Sequence, residues 1–330
     1  LLAAGILLLP ATQYPATTWW SKPDLDREYV LSLDVEHYFG NIQKMRKHLE
    51  TDRQILWVTY YRNLYNATHP SEINSPVSLF RNLLAWNQPG TNGLILPVNP
   101  SASFLSILFA NELWFTLGDM TMAEHCAMLS MIFSPRNSGS RMIKRLAEIN
   151  LVNGDDEAAL KYLRILDKTL LHKSWAEKRI PGQQTPRVKE WLEKKRRDIP
   201  TQDQLRSGND AVTSLRNLVA SNAGNLRAYE YLLCYHLLSK DLRSFVEDYV
   251  PGKVSSPIFA EALLIHLARQ GNIRAEELIK YQIPVKIAKE FADYTRLYEA
   301  KDTSLKEKYG KTYWFYYHFA TTEPGKESKP

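Results

Sequence analysis

Apolar residues recur at spacings of three and four along most of the chain, the pattern of helices that bury one face. Strand-like alternation bounded by hairpin dipeptides is scarce, so the predicted fold class is all-α. The predicted helices are 26–39, 41–50, 54–66, 77–86, 102–117, 121–133, 139–152, 156–172, 187–197, 209–222, 225–239, 241–249, 257–270, 273–280, 284–299 and 304–320.

The predicted helices come in pairs that are joined by very short turns. Gly118–Asp119 joins the best pair, and Gly154–Asp155 joins the next pair 36 residues later. Glycine suits a left-handed helix end, and aspartate suits the first cap of the following helix. Further pairs are predicted to turn at Lys240–Asp241, Gly271–Asn272 and Gly40–Asn41.

Each pair presents an apolar stripe that it cannot bury alone, so the pairs must stack. The stripes of the two best pairs are Ile107, Ala110, Asn111, Trp114, Ala123, Ala127, Ser130 and Phe133, then Ile143, Leu146, Ala147, Asn150, Ala159, Leu163 and Leu166. This outline resembles the tetratricopeptide repeat (TPR), although Asn111 and Ala147 replace its signature glycine. The predicted architecture is a TPR-like helical-hairpin solenoid (α-α superhelix), with a generic helical-hairpin bundle as the alternative.

Composition shifts and loops divide the chain into five segments. They are a membrane-proximal apolar stub and linker (1–24), N-terminal helical pairs (25–100), the best TPR-like pairs (101–180), a basic linker region (181–208), and C-terminal helical pairs with an aromatic terminal helix (209–330).

The net charge of +6 is concentrated in one segment. Residues 173–197 hold nine basic and three acidic side chains, which accounts for the whole excess. The segment ends in a basic patch of Lys194, Lys195, Arg196 and Arg197. Such a patch is either a solvated helix face or an attraction for phosphate or an anionic membrane. No recognised nucleic-acid-binding motif accompanies it, so we expect no nucleic-acid partner.

Residue patterns that carry chemistry are missing from the sequence. The motifs GxGxxG, GxxxxGK[ST], HExxH and GxSxG do not occur, and the eight histidines are scattered. Cys126 and Cys234 have no zinc-site spacing, and we expect two buried thiols rather than a disulfide. The sequence therefore predicts no catalytic residue, no cofactor and no metal site, although scattered acid–base groups can hide an enzyme.

The first residues, LLAAGILLL at 1–9, are apolar but too few to span a bilayer. Trp19 and Trp20 follow, and paired tryptophans suit a membrane–water interface. We expect the end of a membrane tether, with the helical body on the periplasmic (exported) side. The alternatives are a buried helix or a signal remnant.

Aromatic residues cluster at helical spacing in two places. Trp57, Tyr61 and Tyr65 form either a stacking platform for a sugar or peptide, or part of the core. The aromatics of 313–319 cover every side of a helix, which something must bury. That helix either seals the last pair, or contacts the bilayer or a partner.

The run from Arg145 to Gly154 (RLAEINLVNG), continued by Asp155 to Leu166 and Leu170, resembles an uncharacterised Bacteroidota membrane-protein family. The aromatic stretch Tyr313–Phe319 and the apolar N-terminal stub fit the layout of that family. The resemblance implies transmembrane helices followed by an exported TPR-like region. It implies no activity and no site residues.

These patterns favour recognition over catalysis. The function hypothesis is a non-enzymatic protein-interaction or scaffold domain of a membrane-anchored exported protein, whose partner is another protein or a peptide. The candidate partner-binding residues are Trp57, Tyr61, Tyr65, Asn111, Trp114 and Asn150. The alternatives are a glycan- or peptide-binding TPR-type protein, the accessory arm of a membrane enzyme or transporter encoded upstream, and nucleic-acid binding through 187–197.

Overall fold

Helices are the only regular secondary structure in the part of the chain that its structure, a computed structural model, describes. That part comprises residues 24–49, 58, 61, 65, 104–132, 139–201 and 211–319, with the backbone alone at 104–109 and 211. These residues form sixteen helices and no strand, which confirms the all-α prediction. The chain divides into two compact units, Leu1–Tyr65 and Asn66–Pro330.

The first unit contains a pair of helices, α1 (Leu25–Phe39) and α2 (Ile42–Leu49). Asp24 caps α1 by accepting the Arg27 N–H at 3.0 Å. Gly40 ends the helix with a φ of +70°, as its predicted turn requires. The buried apolar side chains of this pair are Val30, Leu33, Met45 and Leu49.

The second unit holds the other fourteen helices. They are α3 (Phe104–Leu117), α4 (Met120–Ile132), α5 (Ser140–Asn153), α6 (Asp156–Asp167), α7 (Lys173–Glu177), α8 (Pro186–Arg196), α9 (Ala211–Ser221), α10 (Leu226–Leu238), α11 (Leu242–Asp248), α12 (Pro257–Arg269), α13 (Ala275–Lys280), α14 (Val285–Glu299), α15 (Leu305–Tyr309) and α16 (Tyr313–Phe319). Helices adjacent in sequence pack together from α3 to α7 and from α9 to α12, and α8 packs on α5.

The predicted turns recur with one geometry. The backbone N–H of Asp119, Asp155 and Asp241 donates to the carbonyl five residues earlier, at 2.9 to 3.0 Å. Each aspartate side chain then accepts the N–H three residues later and caps the next helix. Lys240 takes the left-handed position with a φ of +57°, where the other two turns have glycine. The turn prediction is confirmed at these positions.

The predicted apolar stripes are the core of the second unit. The fully buried side chains from the two best stripes are Ala110, Asn111, Ala123, Ala127, Ser130, Leu146, Ala147, Ala159 and Leu166. Ile107 and Phe133 of the same prediction lie outside the residues whose side chains the structure describes. Small residues on α4 let α3 approach closely, so the Asn111 side chain reaches the Ala123 carbonyl at 2.6 Å.

Two predicted helices are wrong in length. The helix predicted at 156–172 ends at Asp167, because the Thr169 hydroxyl bonds the Leu166 carbonyl and accepts the His172 N–H. The helix predicted at 304–320 is divided into α15 and α16 around Gly310. There the Thr312 hydroxyl accepts the Phe315 N–H and starts the second helix.

The aromatic helix α16 seals the end of the second unit. Tyr313 and Trp314 are fully buried, and the Trp314 indole N–H donates to the Glu261 carbonyl of α12 at 2.9 Å. The Tyr313 hydroxyl donates to the Leu237 carbonyl at the end of α10, at 3.1 Å. Of the two predicted roles for these aromatics, closing the last pair is the one that these contacts support.

None of the helices within 24–49, 104–132, 139–201 and 211–319 is both long and apolar enough to cross a bilayer. The apolar stretch at 1–9, on which the predicted tether depends, lies outside the described residues.

Candidate interaction surface

The turn between α6 and α7 exposes two leucine side chains to solvent. Leu170 is 99% exposed and Leu171 is 77% exposed. The turn that carries them is held in place, because the Thr169 hydroxyl donates to the Leu166 carbonyl at 2.7 Å and accepts the His172 N–H at 3.2 Å. An ordered backbone therefore holds two large apolar side chains in water.

A tryptophan flanked by cations lies next to this turn. The Arg179 guanidinium lies 4.1 Å and the Lys144 ammonium 5.2 Å from the ring centroid of Trp175. Arg179 also donates to the Trp175 carbonyl at 3.2 Å, which fixes the two side chains together. We define the α7 surface as Leu170, Leu171, Trp175, Lys144 and Arg179. All three members of the cation–aromatic group are half-buried.

The charges of this surface are partly desolvated. Burial lowers the pKa of Lys144, and the neighbouring Arg145 and Arg179 lower it further against the opposing effect of Glu148. Burial also lowers the pKa of His172, with Lys144 as a second cause. The α7 surface therefore combines exposed apolar groups with positive charges that are already partly removed from water.

An ion-pair network links α3 to α5, the helix that carries Lys144 of the α7 surface. Glu112 of α3 accepts from Arg141 at 3.1 Å and from Arg145 at 2.5 Å. Arg145 also pairs with Glu148 at 3.1 Å and lies 3.9 Å from the Phe115 ring centroid. Because these side chains are largely buried, the network fixes α5 against α3.

The basic patch predicted at the end of α8 is divided by the fold. Lys194, Arg196 and Arg197 are exposed, as a solvated helix face requires, and Lys195 is half-buried. Arg196 also donates to the Leu151 and Val152 carbonyls at the end of α5, at 2.7 and 3.0 Å. Lys195 donates to the Phe115 carbonyl at 3.4 Å. Two of the four side chains are thus occupied with the C-terminal ends of other helices.

The segment predicted as a linker around this patch contains packed structure. Val188 and Leu192 of α8 are buried, and the Trp191 ring stacks on Phe115 with centroids 6.3 Å apart. Helix α8 therefore joins the ends of α3 and α5.

Most predicted partner-binding residues lie in the interior. Tyr61 and Tyr65 are 1% and 4% exposed, and the Tyr61 hydroxyl donates to Asp34 at 2.5 Å. Trp57 lies outside the described residues. Trp114 is 3% exposed. These burials favour the core interpretation of the aromatic stripe, and the role in partner binding stays a prediction.

The two asparagines of that prediction serve the helical pairs themselves. The Asn111 amide bridges α3 and α4, and the Asn150 amide donates to the Leu146 carbonyl of its own helix at 2.7 Å. The Asn150 carbonyl also accepts the Asp155 N–H in the following turn. No surface role follows from these contacts.

Sequence reasoning missed the α7 surface because it extended α6 through 172. In a continued helix, Leu170 and Leu171 would have been ordinary members of an apolar stripe. The signal that could have found them is Thr169, whose hydroxyl competes with the helix for backbone partners.

Neither Cys126 nor Cys234 forms a disulfide. Both are buried, which confirms the expected thiols, and burial raises the pKa of Cys126 to about 12. No three His, Cys, Asp or Glu side chains among the described residues could hold a metal ion together.

The fold and the surface thus define an all-helical protein of stacked helical pairs with an exposed apolar and cationic patch. The chain belongs to a family of unknown function, DUF6057, whose model matches residues 1–320. No curated protein and no solved structure gave a significant match.

Proposed function

We propose that this chain is the protein-interaction domain of a membrane-anchored, exported protein, and that it binds a protein or peptide partner through the α7 surface. In this proposal the helical pairs form a TPR-like solenoid, a scaffold that displays its helix faces to partners. The observation that carries the proposal is the exposure of Leu170 and Leu171 on an ordered turn.

The composition of the α7 surface is that of an interface centre. Tryptophan and arginine are enriched among the residues that contribute most to binding, and Trp175 and Arg179 are already packed against each other. Burying one leucine fully contributes about 1.5–3 kcal/mol. The ordered turn lowers the entropic cost of that burial, because the backbone is already fixed.

The membrane anchor and the exported location rest on other features. They are supported by the apolar residues at 1–9, the paired Trp19 and Trp20, and the resemblance of 145–170 to a membrane-protein family.

Photocrosslinking from one defined position tests the proposed surface. A photoreactive amino acid replaces Leu171 in the full-length protein, which is illuminated in its native cells. A matched control places the same group at Ile279 of α13, which is also 77% exposed and apolar. We expect a discrete protein adduct from position 171 and none from 279.

Charge reversal at Lys144 makes the result specific to the α7 surface. Lys144→Glu should decrease the adduct yield at position 171, because it places a carboxylate beside Trp175 and the partner. Equal adducts from positions 171 and 279, or adducts with lipid alone, would contradict the proposal.

A further inference from the structure

The C-terminal end of α3 is surrounded by donors from distant parts of the chain. Lys195 of α8 donates to the Phe115 carbonyl at 3.4 Å, and Arg227 of α10 donates to the Thr116 carbonyl at 3.3 Å. Asn225 donates to the Leu117 carbonyl at 2.8 Å. These carbonyls have no partners within the helix, so the donors satisfy them.

Lys195 has fewer partners than its charge requires. An ammonium group has three N–H donors, and Lys195 uses one of them in a long hydrogen bond to a neutral carbonyl. Its other close neighbour is the Phe115 ring, whose centroid lies 4.6 Å from Nζ. No carboxylate in the described part of the chain forms an ion pair with it. By contrast, Arg196 in the same helix has two carbonyl partners.

The charges around Lys195 leave a positive excess. Arg145 and Arg227 are the neighbouring cations, and Asp198 and Glu148 are the neighbouring carboxylates. Glu112 pairs with both Arg145 and Arg141, so with these two included four cations face three carboxylates, and one positive charge is not neutralised. Burial is the main cause that lowers the pKa of Lys195 to about 8, and the two arginines add to it.

The Arg145 side chain adds a second unused donor. Its two terminal nitrogens pair with Glu112 and Glu148, but its buried Nε has no hydrogen-bond partner. Its guanidinium lies 3.9 Å and the Lys195 ammonium 4.6 Å from the centroid of the same Phe115 ring. A buried N–H donor that has no acceptor costs free energy, and a second cation nearby adds to that cost.

We propose that Lys195, Arg145 and Arg227 form a binding site for a single carboxylate group, carried either by an acidic peptide or by a free organic acid. One negative charge matches the one unbalanced positive charge. A carboxylate is also the anion that already pairs with Arg145 in this network, through Glu112 and Glu148. The site involves none of the residues of the α7 surface, so it does not depend on the proposed function.

Isothermal titration calorimetry of the full chain tests this site with two probes. One is a blocked hexaglutamate peptide and the other is glutarate, and they distinguish the two sources of the carboxylate. We expect at least one of them to bind with a Kd of about 1 mM or tighter. Absence of binding by both probes overturns the proposal.

Two neighbouring lysines provide the matched variants. Lys195→Met should weaken binding about tenfold or more, because it removes a charged donor. Lys194→Met removes the same charge from an exposed position of the same helix and should change Kd less than about twofold. Equal weakening by both variants would show general attraction to a basic helix and would overturn the site.

Further measurements guard against a purely structural effect. Lys195→Arg should bind more tightly than Lys195→Met, and Arg227→Gln should weaken binding in a chain with an unchanged circular dichroism spectrum. A bound anion also favours the ammonium form of Lys195, so binding near pH 8 should take up protons. Titrations in buffers of different ionisation enthalpy measure this uptake, and identical enthalpies in all buffers at pH 8 would contradict the site.

Discussion

The C-terminal carbonyls of two helices in the second unit are capped by chemically different donors. The last carbonyls of α3 and of α10 both accept hydrogen bonds from side chains far along the chain. At α3, which we term the charged end, the donors are Lys195, Arg227 and Asn225. At α10, which we term the aromatic end, the donors are the hydroxyls of Tyr313 and Tyr316.

The carbonyls at the aromatic end are capped by neutral hydroxyls, next to a packed cluster of rings. The Trp314 ring lies 5.3 Å from Phe291 and 5.5 Å from Tyr294, centroid to centroid. Burial raises the pKa of Tyr316 to about 12, so its hydroxyl stays protonated and continues to donate. The two hydroxyl donors carry no charge, the buried Glu261 carboxylate accepts the Tyr313 N–H at 2.6 Å, and the ring packing stabilises the fold.

The charged end uses cations as donors and keeps one positive charge in excess. Its aromatic residue Phe115 contacts two cations and stacks on Trp191. The comparison indicates that stability is concentrated at the aromatic end and ligand-binding capacity at the charged end.

The largest expected effect comes from removing one tryptophan at each end. Trp314→Ala should destabilise the chain by about 3–5 kcal/mol, since it opens a cavity in a fully buried site. Trp191→Ala makes the same chemical change at the half-buried position of the charged end, and we expect about 1 kcal/mol. Urea denaturation followed by circular dichroism measures both.

The difference between the two tryptophan variants is the informative quantity. Equal destabilisation would contradict the assignment of stability to the aromatic end. Lys311→Ala, at an exposed position just before α16, is the control and should change stability by less than about 0.5 kcal/mol.

The two ends also differ in how far the sequence could predict them. Periodicity and turn residues predicted the pairs around Gly118–Asp119 and Gly154–Asp155, because both signals are local. The six aromatic residues of 313–319 predicted a helix that something must bury. The charged end joins Phe115 to Lys195 and Thr116 to Arg227, across 80 and 111 residues, and no local pattern specifies such pairs.

The candidate sites were the least predictable part. Asn111 and Trp114 belong to a predicted apolar stripe and are buried, and their role in partner binding stays a prediction. Periodicity could not predict the exposure of Leu170 and Leu171, because it continues a helix that a side-chain hydrogen bond at Thr169 ends.

Two glycine variants test how closely the segment after α8 approaches the charged end. Gly118 has a φ of +91°, and a Cβ added there would lie 2.3 Å from the Asp198 carbonyl oxygen, at the point where the segment after α8 approaches the end of α3. Gly154 has a φ of +83° and open space around its Cβ position. Both alanine variants are strained by about 1 kcal/mol, and Gly118→Ala should cost about 1–3 kcal/mol more.

Thermal and urea denaturation of the two variants measures that difference. Because the backbone strain is similar, the excess reports only the close approach of Asp198 to α3. Equal destabilisation of the two variants would show that the segment after α8 does not pack there.

The smallest effect, a pH dependence, distinguishes the two ends most directly. The pKa of Lys195 is lowered from 10.5 to about 8 in the folded chain, so the unfolded chain binds more protons between these values and stability rises with pH. From pH 7 to 9, the natural chain should gain about 1 kcal/mol relative to Lys195→Met. The buried tyrosines of the aromatic end have raised pKa values and do not contribute in this window.

Urea denaturation at several pH values measures the gain, with Lys194→Met as the control. If the stability of Lys195→Met relative to the natural chain were independent of pH, Lys195 would not be an uncompensated charge, and the two ends would differ only in packing.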